Sequence, residues 1–217
     1  PGDAALVIAG ESGAGDPELI EQIREDLGLD DPYLVQLSRY VGDVASGDFG
    51  TSYRFNEPVT SLIGDRIWPT ILLVTTALLF AIVIGVLVGV FTARRPESPV
   101  SHGVTVFSLV GYSMPVFWTG YLLIIAFASN VRWFPVAGMR DVRFEGNRFE
   151  EWLDIAHHLV LPALTLGLIY LAQYSRLSRA SMLEVLQSDY VRTARAKGLA
   201  ERKVVYNHAL RLSLIHI

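Results

Sequence analysis

Three long stretches of the chain contain no charged residue, and this feature limits the possible folds more than any other. They run from 70 to 92, from 99 to 130 and from 156 to 175. A helix needs roughly 20 apolar residues to cross the hydrocarbon core of a bilayer. One such run could be a buried helix of a soluble protein, but three in 217 residues favour a membrane. We predict transmembrane spans over about 70–92, 102–129 and 157–177.

Composition agrees with a lipid environment. Hydrophobic residues make up 51% of the chain and charged residues only 18%, and the charged residues are grouped between the apolar runs. The chain has no cysteine, which excludes disulfides, cysteine zinc sites and thiol nucleophiles.

The distribution of charge predicts the orientation in the membrane, because Lys and Arg concentrate in short cytoplasmic loops. Residues 1–68 contain 13 acidic and 4 basic residues, whereas residues 176–211 contain 8 basic and 3 acidic ones. The short link after the first run carries Arg94 and Arg95. We therefore predict an extracytoplasmic acidic segment over 1–68, a transmembrane region over 69–182 and a basic cytoplasmic end.

The acidic segment also contains signals for short helices. Asp16 and Pro17 are typical of a helix start and Gly28 of a helix end, and Asp31 with Pro32 predicts a second start.

Glycine and proline mark two positions inside the spans. Gly85 and Gly89 form a G-x-x-x-G pair, which either allows another helix to approach closely or is merely tolerated. Gly111 and Pro115 predict a kink in the second span. The kink is either structural or part of a transport path to which Tyr112 and Ser113 also contribute.

The sequence offers little for catalysis. Ser113 with His102, His157 or His158 could suggest an intramembrane serine protease, but Met114 stands where those proteases need glycine. None of the three charge-free runs offers an Asp, Glu, Lys or Arg inside the membrane for ion coupling. The chain also has no phosphate-binding G-x-x-x-x-G-K-[ST] loop, so any energy for transport has to come from a partner.

The basic end contains one sharply bounded short helix. Asp189 is a good N-cap and Gly198 a good residue for the position after a helix, which predicts a helix from Tyr190 to Lys197. A second helix can begin after Gly198. The short helix could fit a groove on another protein or could be an ordinary basic loop at the lipid surface.

The stretch at 189–199, Asp-Tyr-Val-Arg-Thr-Ala-Arg-Ala-Lys-Gly-Leu, resembles the cytoplasmic loop of permeases of binding-protein-dependent ATP-binding-cassette importers, in their dipeptide, oligopeptide and nickel branch. Gly-Asp-Phe-Gly-Thr-Ser at 47–52 and Ser-Met-Pro-Val-Phe-Trp at 113–118 are similar to further segments of that family. Pro-Gly-Asp at 1–3 resembles the segment after its first span.

The resemblance implies an all-α integral membrane protein, with three visible helices of a six-helix permease fold that lacks the first and the last two spans. It implies a coupling loop over 183–211 whose short helix docks on an ATPase subunit. The residues that it assigns to this contact are Asp189, Tyr190, Arg192, Thr193, Ala194, Ala196, Lys197 and Gly198.

The resemblance also implies the partners. These are a second permease subunit, two ATP-binding subunits that carry ATP and Mg²⁺, an extracytoplasmic solute-binding protein and the lipid bilayer. It implies no nucleic acid, no cofactor or metal on this chain, and a location in the cytoplasmic membrane of a bacterium or archaeon. The solute could be a dipeptide, an oligopeptide, a nickel complex or a sugar.

Both ends of the sequence differ from what the family pattern leads us to expect. The chain begins at Pro1 without methionine, and Leu-Ser-Leu-Ile-His-Ile at 212–217 has histidine where the family has proline. We expect a truncated front and a sequencing-adapter origin for 212–217.

Overall fold

The computed structural model describes residues 4–11, 17–52, 54–141 and 146–216. The chain divides into two compact units, Pro1–Thr70 and Ile71–Ile217. The described fold is helical, as predicted, apart from one minimal hairpin.

The first unit contains three short helices, namely α1 (Ala4–Glu11), α2 (Pro17–Asp26) and α3 (Tyr33–Ser46). Ala5 and Ala9 of α1 pack on Ile23 of α2 in a small buried cluster. The predicted helix boundaries are confirmed for the described residues, because α2 begins at Pro17, Gly28 has φ +59°, and Pro32 occupies the N-cap of α3. Asp16 lies outside the described residues. Two-residue strands β1 (Thr51–Ser52) and β2 (Glu57–Pro58) form an antiparallel pair in which Thr51 is opposite Pro58.

Helix α4 (Val59–Arg94) contains the first predicted span and is considerably longer than it. The helix begins well before 70 and includes Pro69 in its interior. The length of the apolar run therefore predicted the part of the helix that can cross a membrane, but it missed the polar helical turns before residue 70.

The second predicted span is divided into α5 (Pro99–Ser113) and α6 (Val116–Leu123), and α6 continues as a π-helix (Ile124–Asn130). The two parts meet at an angle of 109°. Pro115 lies at the break with φ −60° and ψ 136°, and Met114 before it is also extended, as a residue before proline usually is. The expected kink is confirmed, and it divides the predicted span over 102–129 into two helices.

Helix α7 (Arg148–Leu186) contains the third predicted span and extends past both of its ends. It begins with a capping box, in which Asn147 accepts hydrogen bonds from the backbone of Phe149 and Glu150. The preceding segment folds back on this end of α7, because Arg140 pairs with Glu151 at 2.9 Å.

Glycines bring α4 and α7 close together. A Cβ atom added at Gly85 would lie 2.9 Å from the Cβ of Tyr174, and one at Gly167 would lie 2.7 Å from the ring of Phe80. Ser178 Oγ also donates a hydrogen bond to the Val86 carbonyl at 3.3 Å. The close-packing interpretation of the G-x-x-x-G pair is therefore confirmed within this chain.

Polar contacts attach α5 to α7. The Arg179 guanidinium donates to Thr105 Oγ1 at 2.7 Å, and Arg176 lies 5.5 Å from the centre of the Tyr112 ring. Both contacts hold α5 beside α7 on the same side of the bend.

Helices α4 and α7 are each long and apolar enough to cross a membrane, and the bent pair α5–α6 adds a third crossing if it counts as one span. Many large apolar side chains of these helices are exposed, including Ile71, Leu87, Phe107 and Phe117. The chain is thus a multi-span helical membrane protein, because such side chains require lipid or another membrane helix as solvent.

Candidate functional site

The short helix predicted near the end of the chain is α8 (Asp189–Ala196). Its N-cap is Ser188, with φ −68° and ψ 153°, so the assignment of Asp189 as the N-cap was wrong by one residue. Ser188 Oγ donates to the Val185 carbonyl at 2.7 Å and makes no capping bond. Asp189 instead lies in the first turn, where its negative charge interacts favourably with the helix dipole.

Gly198 follows the end of α8 as predicted, but the helix ends at Ala196, one residue before the predicted Lys197, which is its C-cap. Gly198 has φ +74°, and its backbone N–H donates to the Arg195 carbonyl at 2.9 Å. The Lys197 N–H donates to the Thr193 carbonyl at 3.1 Å. A left-handed residue directly after the helix stops it and turns the chain, and glycine adopts this conformation without a steric cost.

One side of α8 is buried in the chain itself. Val191 is fully buried and Ala194 is 5% exposed, three residues later on the same side. Both belong to a cluster that also contains Met182 and Val185 of α7 and, from the segment after Gly198, Val204, Val205 and Ala209. The prediction that Ala194 contacts a partner was therefore wrong, because its methyl group faces the core of this chain.

The opposite side of α8 is free of such packing, and we call it the outer face. All of its members are exposed, namely Asp189, Tyr190, Arg192, Thr193, Ala196, Lys197 and Gly198. Arg192 pairs with Asp189 at 3.3 Å, and Thr193 Oγ1 donates to the Asp189 carbonyl at 2.8 Å. The outer face therefore presents polar groups and two basic side chains on an apolar base.

After Gly198 the chain forms α9 (Glu201–Lys203), a π-helix (Val204–Ala209), α10 (Leu210–Ser213) and a final 3₁₀ turn (Leu214–His216). We call these elements together the return segment. A helix after Gly198 was predicted, and the structure places it beside α8. Tyr190 Oη and His208 Nδ1 are 2.8 Å apart, and their ring centres are 5.6 Å apart.

A second contact joins the other end of α8 to the return segment. Arg195 forms two hydrogen bonds to Glu201, from Nη2 to Oε1 at 2.9 Å and from Nε to Oε2 at 3.2 Å. These hydrogen bonds, together with the positive charge of Arg195 and of Arg94, lower the pKa of Glu201. The same hydrogen bonds raise the pKa of Arg195.

The return segment includes residues whose adapter origin stays a prediction. Ser213 is buried, its hydroxyl donates to Met182 Sδ at 3.2 Å, and its carbonyl accepts from Ser181 Oγ at 3.1 Å. Leu212 also packs against the cluster beneath α8.

The bend between α5 and α6 is the second candidate region. An open cavity of about 590 Å³ lies there, and Leu109, Ser113, Pro115 and Trp118 are among its lining residues. Gly111 and Tyr112 are not among them, and Tyr112 instead contacts Arg176. The structure thus brings only Ser113 and Pro115 of the four predicted residues to the cavity.

The geometry gives no support to a serine protease. Ser113 Oγ donates to the Leu109 carbonyl at 2.9 Å. His102 contacts the Ser98 carbonyl, His157 that of Trp133 and His158 that of Asp154. None of the hydrogen bonds that the described residues make joins Ser113 to a histidine.

Sequence reasoning missed the contacts that hold α8 in place. Glu201 and His208 were not assigned a role, and Arg195 was expected only to interact with the helix dipole, although opposite charges on either side of the Gly198 turn were a usable signal. The spacing of Val191 and Ala194 could likewise have predicted a buried face. The partner of Tyr190 could not be predicted, because it lies 18 residues away along the chain.

The sequence matches a known family and curated proteins. Residues 85–217 match the family described as binding-protein-dependent transport system inner membrane component. The oligopeptide transport system permease protein AppB of Bacillus subtilis is 41% identical over 198 residues, which cover 91% of this chain and 61% of that protein.

Two further relatives extend over nearly the whole chain. The di/tripeptide transport system permease protein DppB of Pseudomonas aeruginosa is 41% identical, with all of this chain and 68% of that protein covered. The probable peptide ABC transporter permease protein y4tP of Sinorhizobium fredii is 40% identical, with 97% of this chain and 65% of that protein covered. The chain thus spans about two thirds of the length of these relatives.

Proposed function

The chain belongs to the family of binding-protein-dependent transport system inner membrane components, and from this premise we propose that it is the permease subunit of an ATP-driven peptide importer. In this proposal its helices form part of the path for a peptide or a similar small solute. A separate subunit hydrolyses ATP, and α8 passes the resulting movement to the membrane helices.

The main support for the coupling role is that the outer face of α8 is exposed while its other side is buried in this chain. A helix of eight residues is too short to be stable alone in water, so it depends on the apolar cluster beneath it. That cluster includes Val86 and Val90 of α4 and Met182 of α7. A force on the outer face would therefore be transmitted through this cluster to both membrane-spanning helices.

The bend at Pro115 is the proposed contribution to the path. Its cavity is open and mostly apolar, and Ser113 contributes a hydroxyl group to its lining. Backbone breaks at membrane depth are tolerated where they line a water-filled cavity or pack against protein. Gly111 and Tyr112 would act there by shaping the bend and by fixing it to α7 through Arg176.

The proposed assembly contains two permease subunits, two ATP-binding subunits and an extracytoplasmic binding protein in a bacterial or archaeal inner membrane. ATP and Mg²⁺ are bound by the partner ATPases. The names of the relatives refer to oligopeptides and to di- or tripeptides, which makes a short peptide the proposed solute.

Transport by the reconstituted full-length assembly tests this proposal. The permease pair, the ATPases and the binding protein are placed in proteoliposomes, and uptake of labelled di-, tri- and pentapeptides is measured with ATP inside. We expect peptide uptake that stops when the ATPase is inactivated. Uptake of a sugar or a nickel complex instead of any peptide would contradict the proposed substrate class.

Cysteine labelling tests the proposed topology. Arg148 should lie outside and Lys197 inside, because the basic loop after α4 and the basic end share the cytoplasmic side. In intact cells an impermeant maleimide should label a cysteine at 148 and not one at 197. The reverse result would overturn the orientation.

A further inference from the structure

Two polar contacts attach α8 to the return segment, one near each end of the helix. Near the start, the Tyr190 hydroxyl lies 2.8 Å from His208 Nδ1, and near the end, Arg195 and Glu201 form a two-point ion pair. We call these two contacts together the clasp. The clasp links α8, which precedes the Gly198 turn, to the return segment, which follows it. Without these contacts the backbone at Gly198 would leave the two elements free to rotate relative to each other.

The apolar cluster alone does not fix the orientation of α8. Val191 and Ala194 form a narrow base on one side of the helix, and apolar contacts are not directional. Hydrogen bonds and a two-point Arg–carboxylate pair do impose direction. Because the two contacts lie at opposite ends of α8, together they oppose its rotation about the base.

We propose that Glu201 and His208 are positioning residues that make α8 and the return segment move as one unit when the ATPase displaces α8. This inference rests on the proposed function, in which the outer face of α8 docks on the ATPase. It adds two residues that take no part in that docking and that act through Arg195 and Tyr190.

The contacts of the clasp are weak, so their loss should affect coupling rather than folding. The side chains of Arg195 and Glu201 are 43% and 53% exposed. Exposed ion pairs shift an equilibrium by no more than about fivefold. Loss of one contact should therefore leave the protein folded and inserted, while the α8 unit becomes looser.

The test uses the full-length permease, assembled with its ATPases and binding protein in proteoliposomes. Glu201→Gln removes the ion pair, and His208→Phe removes the ring nitrogen that pairs with the Tyr190 hydroxyl while keeping a ring. Glu151→Gln is the matched control, because it removes another exposed Arg–Glu pair at 2.9 Å, in the segment before α7. Three quantities are measured: basal ATP hydrolysis, its stimulation by solute-loaded binding protein, and crosslinking of a cysteine at 193 to the ATPase.

We expect Glu201→Gln and His208→Phe each to lower the stimulation ratio by about two- to fivefold, with basal hydrolysis unchanged. The cysteine at 193 should still crosslink, since docking does not require the clasp. The control should behave as wild type. Exchanging the charges, as Arg195→Glu with Glu201→Arg, should recover at least about half of the stimulation that Arg195→Glu alone removes, which a purely steric role of either residue would not produce.

Two results would overturn the inference, and they differ in what they say about the proposed function. If the cysteine at 193 crosslinks and both clasp variants are stimulated like wild type, α8 docks but the clasp does not position it. If the cysteine at 193 never crosslinks in an otherwise wild-type assembly, the docking role fails and this inference fails with it.

Discussion

Gly89 of α4 lies directly against Ser178 of α7, so closely that a Cβ atom at position 89 would be 2.6 Å from the Cβ of Ser178. The same added atom would lie 2.7 Å from the backbone carbonyl oxygen of Ser175. A backbone atom cannot move aside as a flexible side chain can. The α4–α7 contact therefore depends on the absence of a side chain at this position.

Gly89→Ala should destabilise the protein for this reason. Overpacking of a close contact typically costs about 1–3 kcal/mol, and we expect a correspondingly lower thermal midpoint for the purified full-length permease in detergent. Gly103→Ala in α5 is the matched control, because nothing lies within 4 Å of its added Cβ. The control should be neutral or stabilising by up to about 1 kcal/mol. Equal midpoints for the two variants would contradict the close contact.

Gly198→Val should uncouple transport while leaving the spans in place. The added Cβ meets no atom of this chain within 4 Å, so the effect within the chain comes from φ +74°. That conformation costs an ordinary residue about 1–2 kcal/mol, and a β-branched one more. We expect loss of solute-stimulated ATP hydrolysis with normal membrane insertion. Gly198→Asn, which tolerates a left-handed conformation, should retain most of the stimulation, and a loss as large as that of valine would contradict the conformational explanation.

The stabilisation that the Arg195–Glu201 ion pair gives to α8 should change with pH only in the acid range. Its hydrogen bonds lower the pKa of Glu201, so its contribution is complete above the ordinary carboxyl pKa and disappears as the pH falls through the lowered folded-state value. The α8 amides should be better protected from hydrogen exchange in wild type than in Glu201→Gln, and this difference in protection should be constant between pH 6 and 8. It should decrease below about pH 4. A difference that changes across pH 6–8 would point to another titrating group.

Apolar length and punctuating residues were sufficient to predict much of the fold. Charge-free runs identified the spans within α4 and α7, and Pro17 and Gly28 marked the ends of one short helix. These signals are local, because each depends on neighbouring residues. The α7 helix extends past its apolar run because Met182 and Val185 pack on the return segment, and this support is not visible within the run itself.

The parts that were missed depend on distant contacts. Gly111 and Pro115 predicted a kink, but the angle of 109° also reflects the packing of α5 and α6 on α7. Ser188 and Asp189 are both good N-caps, and only the backbone angles distinguish them. The sequence alone suggests that Ala194 is a small surface residue, and its burial becomes evident only from its packing in one cluster with Val204 and Val205.

The central claim is that α8 docks on an ATPase through its outer face. Crosslinking from two adjacent residues that lie on opposite sides of α8 tests this claim most directly. Thr193 is exposed and Ala194 is buried, so single cysteines at these positions differ only in the direction they face. In the full-length assembly, a short bifunctional thiol crosslinker should join the cysteine at 193 to a cysteine on the ATPase and leave the one at 194 unreacted. Crosslinking from 194 without crosslinking from 193 would contradict the account.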